Sequence, residues 1–366
     1  MKLNDSIIWD DMKYIYNNIS NVNILKNKSV LVTGASGMLA SYIIYFLSYL
    51  NIEKQFNIKI YALVRNKKKA LERFKGIDNK DFFVYINQDV CDYFSVSQKV
   101  NYIVHAAGNA SPRHIINDPV GIIRANTIGT MRVLEYAQNS GVEKILYTST
   151  REIYGKVENK EYITENDMGI NYIDEIRACY PESKRVAETI LKSYYYQYKI
   201  PYVTARIAHV YGPGMPIEND GRIMSDLIGD VVNNKNIILK SDGTADRAFC
   251  YIADAIVGLM ILLINGKNSE SYNLSNESEP YKISEVAQML IDLFPEKKLS
   301  VIYDISDKTG QGYSKIGRIK LNTDKLQALG WCPHISLREG LKRTVDSFEV
   351  RRKHLFPSGN RIKKNC

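Results

Sequence analysis

Short apolar runs rich in β-branched residues recur along the chain, and between them apolar positions return every three or four residues. The first run, Ser29-Val-Leu-Val-Thr33, lacks the alternation of a half-exposed strand and reads as a parallel strand buried on both faces. Ile58–Val64, Phe82–Ile86, Tyr102–His105 and Lys144–Ser149 repeat it, with helical stretches such as Leu39–Leu50 and Met131–Asn139 between. This alternation predicts an α/β fold, a doubly wound parallel sheet with helices on both faces.

The junction after the first strand carries chemistry. In Gly34-Ala-Ser-Gly37-Met-Leu-Ala40, Gly34 permits a tight turn, Gly37 lets backbone approach a pyrophosphate, and Ala40 lets helix pack closely on strand. The helix start then presents unpaired N–H groups to an anion. Gly34, Ser36, Gly37 and Met38 are the candidate dinucleotide contacts, in a Rossmann arrangement. The second strand ends in Arg65-Asn-Lys-Lys-Lys69, and an arginine there suits the 2′-phosphate of NADP where an acid would favour NAD. A solvated basic helix start accounts for the same residues. Asp89 is placed to meet the adenine, and Ala106 and Ala107 leave room for a flat cofactor; the cofactor is NADP(H) or NAD.

Tyr180 and Lys184 lie one helical turn apart on one face, with Pro181 in a tolerated first-turn position. A free tyrosine has a pKa of about 10, so it becomes a base only when positive charge stabilises its phenolate. Lys184 and an oxidised nicotinamide would both do this, letting Tyr180 exchange a proton with a substrate hydroxyl as hydride moves. Thr150 would orient that oxygen.

Composition adds bounds. At 366 residues and 45% hydrophobic, the chain can bury one large core and a smaller lobe. The turn Gly212-Pro-Gly214 marks the clearest boundary. The expected organisation is an N-terminal extension (1–27) with a short helix packed on the sheet edge, then a dinucleotide-binding domain (28–211) to which 246–263 returns. A C-terminal substrate-binding lobe (212–245 and 264–348) and a basic tail (349–366) complete it. Met38–Leu50 and Ala255–Ile264 are too short to span a bilayer, and the first 28 residues lack a secretion signal's basic start and apolar stretch, so a cytoplasmic protein with no membrane contact is expected. Five scattered cysteines lack metal-ligand spacing, so reduced thiols and no metal are expected. The net charge of +9 is spread along the chain, which argues against a nucleic-acid partner.

Five ordered motifs carry a family resemblance: Thr33–Gly37, His105–Gly108, Ser149–Gly155, Tyr180-x-x-x-Lys184 and Arg206–Pro213. From about Lys28 to about Phe348 the chain resembles the extended short-chain dehydrogenase/reductases that modify nucleotide-diphosphate sugars. Ala110–Pro112, Arg177–Tyr180, Lys184–Glu188, Asp220–Ile223 and Arg247–Asp254 are similar to the UDP-glucuronate decarboxylases in particular. The resemblance implies Tyr180, Lys184, Thr150 and Glu152 as catalytic residues. It implies Ser111, His209, Arg222, Arg247 and Arg318 as contacts to a nucleotide-diphosphate sugar, with the two last arginines on its diphosphate, where guanidinium forks suit phosphate oxygens. His209 stands where relatives carry asparagine. Where the 4,6-dehydratases hold an aspartate this chain has Arg151, which cannot donate a proton near neutral pH, so dehydration is disfavoured. Three reactions stay open: reduction of a 4-keto-6-deoxy sugar, decarboxylation of a nucleotide glucuronate, and 4-epimerisation. Arg65 favours the first; Glu152 and Arg318 favour the second. A homodimer built through paired helices and a role in O-antigen or capsule precursors follow from the resemblance alone.

Overall fold

The structure, a computed structural model, describes residues 5–305 and 320–355. The first half runs α1 (Ser6–Asn17), β1 (Ser29–Thr33), α2 (Met38–Lys54), β2 (Lys59–Val64), α3 (Lys67–Arg73), β3 (Phe83–Asn87), β4 (Tyr102–His105), α4 (Pro112–Asn117), α5 (Pro119–Ser140), β5 (Lys144–Thr150) and β6 (Tyr162–Ile163). Then come α6 (Cys179–Tyr198), β7 (Tyr202–Ile207), β8 (Val210–Tyr211), α7 (Ile223–Val232), β9 (Ile237–Leu239), β10 (Asp246–Ala248), β11 (Cys250–Tyr251) and α8 (Ile252–Asn265). The chain finishes with β12 (Glu270–Leu274), β13 (Pro280–Lys282), α9 (Ile283–Leu293), β14 (Val301–Tyr303), β15 (Lys320–Leu321), α10 (Asp324–Gln327) and α11 (Leu337–Leu355).

Seven parallel strands form the main sheet in the order β12-β7-β5-β4-β1-β2-β3. The strand order reverses between β1 and β4, which opens a crevice at their carboxyl ends. Successive side chains point to opposite faces, so Val30, Val32, Ile60, Ala62 and Val104 join the α2 and α8 side of the core. Leu31, Tyr61, Leu63, Ile103 and Ile145 join the α5 and α6 side. Burial on both faces explains why these strands read as unbroken apolar runs.

Two sequence expectations need correcting. Residues 264–348 were expected to lie in the smaller lobe, yet β12 pairs along β7 and forms an edge of the main sheet. Its sequence, Glu270-Ser-Tyr-Asn-Leu274, is polar because one flank faces no further strand. The N-terminal helix α1 packs not on a sheet edge but against α8, α2 and α11. It carries a fully buried Asp11 whose carboxylate accepts from the hydroxyls of Tyr42 (2.8 Å) and Tyr251 (2.7 Å) and from Arg343 (2.7 Å). Tyr14 on the same helix donates to Asp254 of α8. The apolar stripe Ile8, Met12 and Ile15 seats the helix, and these bonds fix its register.

The smaller lobe gathers α7, α9 and α11 against one another, with β9 beside β14 and β10 beside β13.

Candidate active site

The glycine turn is shaped by close approach. Gly34 has φ +62°, and a Cβ there would lie 2.6 Å from the Ala106 carbonyl oxygen and 2.8 Å from the Ala107 Cα. Only glycine lets the β1 and β4 loops meet so closely, which brings the two predicted stretches together. Gly37 precedes α2 with no side-chain cap, so the first N–H groups of that helix point outward past Ser36 and Met38. This is a cradle that fits a pyrophosphate. Thr33 and His105 hydrogen-bond across it at 2.8 Å, and the Ala107 N–H donates to the Thr33 hydroxyl. Burial, together with the Lys184 charge, pushes His105 down to about 3, so it stays neutral.

At the adenosine end, Arg65 and Asp89 follow the carboxyl ends of β2 and β3 and sit 3.7 Å apart. Arg65 is 70% exposed, and Asp89 also accepts from the Cys91 N–H at 2.9 Å.

The candidate reaction centre lies where β5 runs into a short turn, Arg151–Tyr154, facing the start of α6. Thr150 lies near enough to the Tyr180 phenol to favour its ionised form, and its hydroxyl accepts from the Glu152 N–H at 3.2 Å. Lys184 donates to the Thr148 carbonyl at 2.8 Å and lies over the Tyr147 ring. Gly108, at φ +150°, makes room: a Cβ there would come within 3.4 Å of the Lys184 ammonium and 2.6 Å of Asn126 Oδ1.

The electrostatics differ from the sequence expectation. Burial raises the Tyr180 phenol well above its ordinary range, and the Glu152 charge adds to this; the Thr150 hydrogen bond and the charges of Arg177 and Arg222 oppose it without prevailing. Lys184 is itself pushed down to about 7 by burial. Desolvation therefore dominates both groups of the pair.

Glu152 is held at 2.8 Å by Arg177, three residues before Tyr180. Arg177 was visible only as part of a motif; its spacing to the tyrosine was the signal. Its Nη1 is buried without a partner. Ser111 is buried and donates to the Asp220 carbonyl at 2.8 Å. Arg222 grips the Asp220 carboxylate through Nε (2.5 Å) and Nη2 (3.0 Å), which ties Ser111, Asp220 and Arg222 into one unit. His209 adopts φ +40°, uncommon for a side-chain-bearing residue, beside Phe249. Burial and the charges of Arg151 and Arg247 hold its imidazole neutral. Arg247, on β10, donates to the Asp246 carbonyl at 2.7 Å. Arg318 lies outside the described residues.

Among the described residues Cys91, Cys179, Cys250 and Cys332 are free thiols, no group of side chains is arranged to hold a metal, and no helix is long and apolar enough to cross a membrane. The sheet order, the uncapped glycine turn and the tyrosine–lysine helix define an extended Rossmann enzyme of nucleotide-sugar chemistry. Residues 30–275 match the NAD dependent epimerase/dehydratase family, and the chain belongs to that family. It is 33% identical over 327 residues to UDP-glucuronic acid decarboxylase 6 of Arabidopsis thaliana, covering 89% of this chain and 90% of that one. It is 28% identical over 332 residues to the human dTDP-D-glucose 4,6-dehydratase, covering 87% and 89%. The fold is that of the Thermotoga maritima UDP-glucose 4-epimerase solved with UDP-glucose (TM-score 0.75, 22% identity, 90% of this chain and 100% of that one). The protein is thus a member of an NAD-dependent enzyme family acting on nucleotide sugars.

Proposed function

We propose that the protein is a 4-ketoreductase that takes a nucleoside-diphosphate-linked 4-keto-6-deoxyhexose and reduces C4 to the alcohol, using NADPH. The observation that carries this reading is Arg65. It sits at the carboxyl end of β2, largely exposed and held only at 3.7 Å by Asp89, within reach of a ribose 2′-phosphate. A reductase must exchange its cofactor at each turnover, whereas the recycling reactions need no such selectivity.

The state of Tyr180 supports the same direction. Its raised phenol pKa keeps the proton on at neutral pH, so the side chain is ready to give it to the C4 oxygen. When bound, the cofactor supplies the hydride to C4. Thr150 orients the phenol, and Lys184, fixed by the Thr148 carbonyl, supports the nicotinamide side. Arg151 offers no proton for loss of water. Ser111, Arg222, His209 and Arg247 are the groups offered to the sugar nucleotide.

Decarboxylation of a nucleotide glucuronate is the second reading. It is favoured by the UDP-glucuronic acid decarboxylases at 33% and 31% identity and by the retained Glu152, held in place by Arg177. Purified protein distinguishes the two. Consumption of NADPH only when a 4-keto sugar nucleotide is added supports reduction; retained stoichiometric NAD with release of CO₂ from UDP-glucuronate sinks it. We also infer a cytoplasmic homodimer formed through α5 and α6, whose outer faces expose Val120, Ile123, Met131 and Val186. Sedimentation at a monomer mass would refute that assembly. A place in O-antigen or capsule precursor synthesis fits this chemistry.

A further inference from the structure

Arg151 stands apart from the other charged groups of the site. It is only 7% exposed, yet among the described residues it has neither a hydrogen bond nor an ion pair. Its nearest carboxylates, Glu152 and Glu277, act on it only at longer range, while Arg247 and Arg177 oppose its charge. Burial, aided by the same guanidinium and that of Arg247, holds His209 neutral. A buried cation without a matched anion is costly, and it is costlier still beside two further arginines. Evolution keeps such an arrangement where a bound anion completes it.

Position narrows the choice of anion. Arg151 follows Thr150 directly, so its backbone leaves the reaction centre, yet its charge is felt by His209 and Arg247. Glu152, beside Tyr180, is the first charge to act on the Arg151 guanidinium and Arg247 the next, and the guanidinium in turn acts on His209. Arg151 therefore stands between the turn that carries Glu152 and the side of the site that carries Arg247 and His209.

We propose that Arg151 is a ligand of the sugar-side phosphate of the nucleotide sugar, and that it sets the preference of this site for diphosphate-linked over monophosphate nucleotides. The proposal rests on the reading that this is a nucleotide-sugar site, though not on which reaction follows. It gives the residue that replaces the dehydratase aspartate a positive role: one substitution removes an acid and adds an anion clamp.

The test is equilibrium binding of UDP, UMP, dTDP and dTMP to the full-length chain by calorimetry, for wild type, Arg151→Gln and Arg151→Lys. A lost charge-assisted bond to phosphate is expected to weaken diphosphate binding about 10- to 100-fold in Arg151→Gln. Monophosphate affinity should stay within about threefold, and Arg151→Lys should recover part of the loss. The melting temperature of Arg151→Gln should hold or rise, because an uncompensated buried charge has been removed. Equal losses for mono- and diphosphates, or a sharp fall in melting temperature, would instead mark a structural arginine and overturn the proposal. So would unchanged UDP binding with a selective loss of UDP-glucuronate relative to UDP-glucose, which would place a sugar carboxylate on Arg151. A wild-type protein that binds no nucleoside diphosphate overturns the substrate reading as well. NADPH consumption with a 4-keto sugar is scored separately, so a failed reductase assay leaves these outcomes readable.

Discussion

Two polar clusters are buried to similar depth in this molecule, and they follow opposite rules. Where α1 meets α2, α8 and α11, both oxygens of the Asp11 and Asp254 carboxylates have donors: Asp11 is bonded by Tyr42, Tyr251 and Arg343. Asp254 is bonded by Tyr14 and by the backbone N–H groups of His334 and Ile335. Around Tyr180 the polar groups are left wanting: Arg151 has no ion pair among the described residues and Arg177 Nη1 has no partner. Burial alone therefore says little about role. A buried polar group whose valences are filled by the chain holds structure; one whose valences are open awaits something from outside.

Mutation of each cluster should move one observable and spare the other. The largest expected effect is on chemistry: Tyr180→Phe should lower turnover by roughly 10³-fold while sugar-nucleotide affinity and the unfolding midpoint barely change. If affinity collapses and turnover survives, the proton-transfer role is wrong. Next comes stability: Asp11→Ala strips three donors of their shared acceptor and should cost about 3 kcal/mol in urea unfolding. Turnover at saturating substrate should stay within about threefold of wild type; a dead but stable variant would break the division between the clusters.

A comparable effect comes from pH. Burial, opposed by the bonds from Tyr251, Tyr42 and Arg343, pushes Asp11 up from 3.8 to about 6. Between those values the folded state keeps a proton that the unfolded state has released, so this group's contribution to stability declines as pH rises from about 4 to about 6. The decline is on the order of 3 kcal/mol and should vanish in Asp11→Asn. Unfolding midpoints that fall equally with pH in both proteins would assign the effect elsewhere. The smallest change is expected at Arg65, an exposed charge with a long-range partner. Arg65→Asp should shift the ratio of kcat/KM for NADPH over NADH toward NADH by about tenfold, and an unchanged ratio would remove the main support for NADPH.

Much of this was legible in the sequence, for reasons the structure makes plain. Central strands such as β1 and β4 are covered on both faces, so their apolar runs announce them. Gly34 and Gly37 are visible because backbone approach leaves no freedom of choice there. The edge strand β12 was missed because half of its surroundings are solvent or side chain, and its polar sequence resembles a loop. Asp11 leaves no local signal in the sequence because its partners lie 31, 240 and 332 residues away. Arg151 read only as a missing acid. That it lacks a counter-ion is a property of the assembled site, and no local spacing encodes it.

The Asp11–Arg343 bond also has a consequence in time. Asp11 on α1 meets Arg343 across 332 residues of chain, and β12 joins the sheet only after β1 to β7 have been made. During synthesis α1 therefore carries an acid without its arginine and an apolar stripe without the α8 and α11 surfaces that cover it, until both helices have been made.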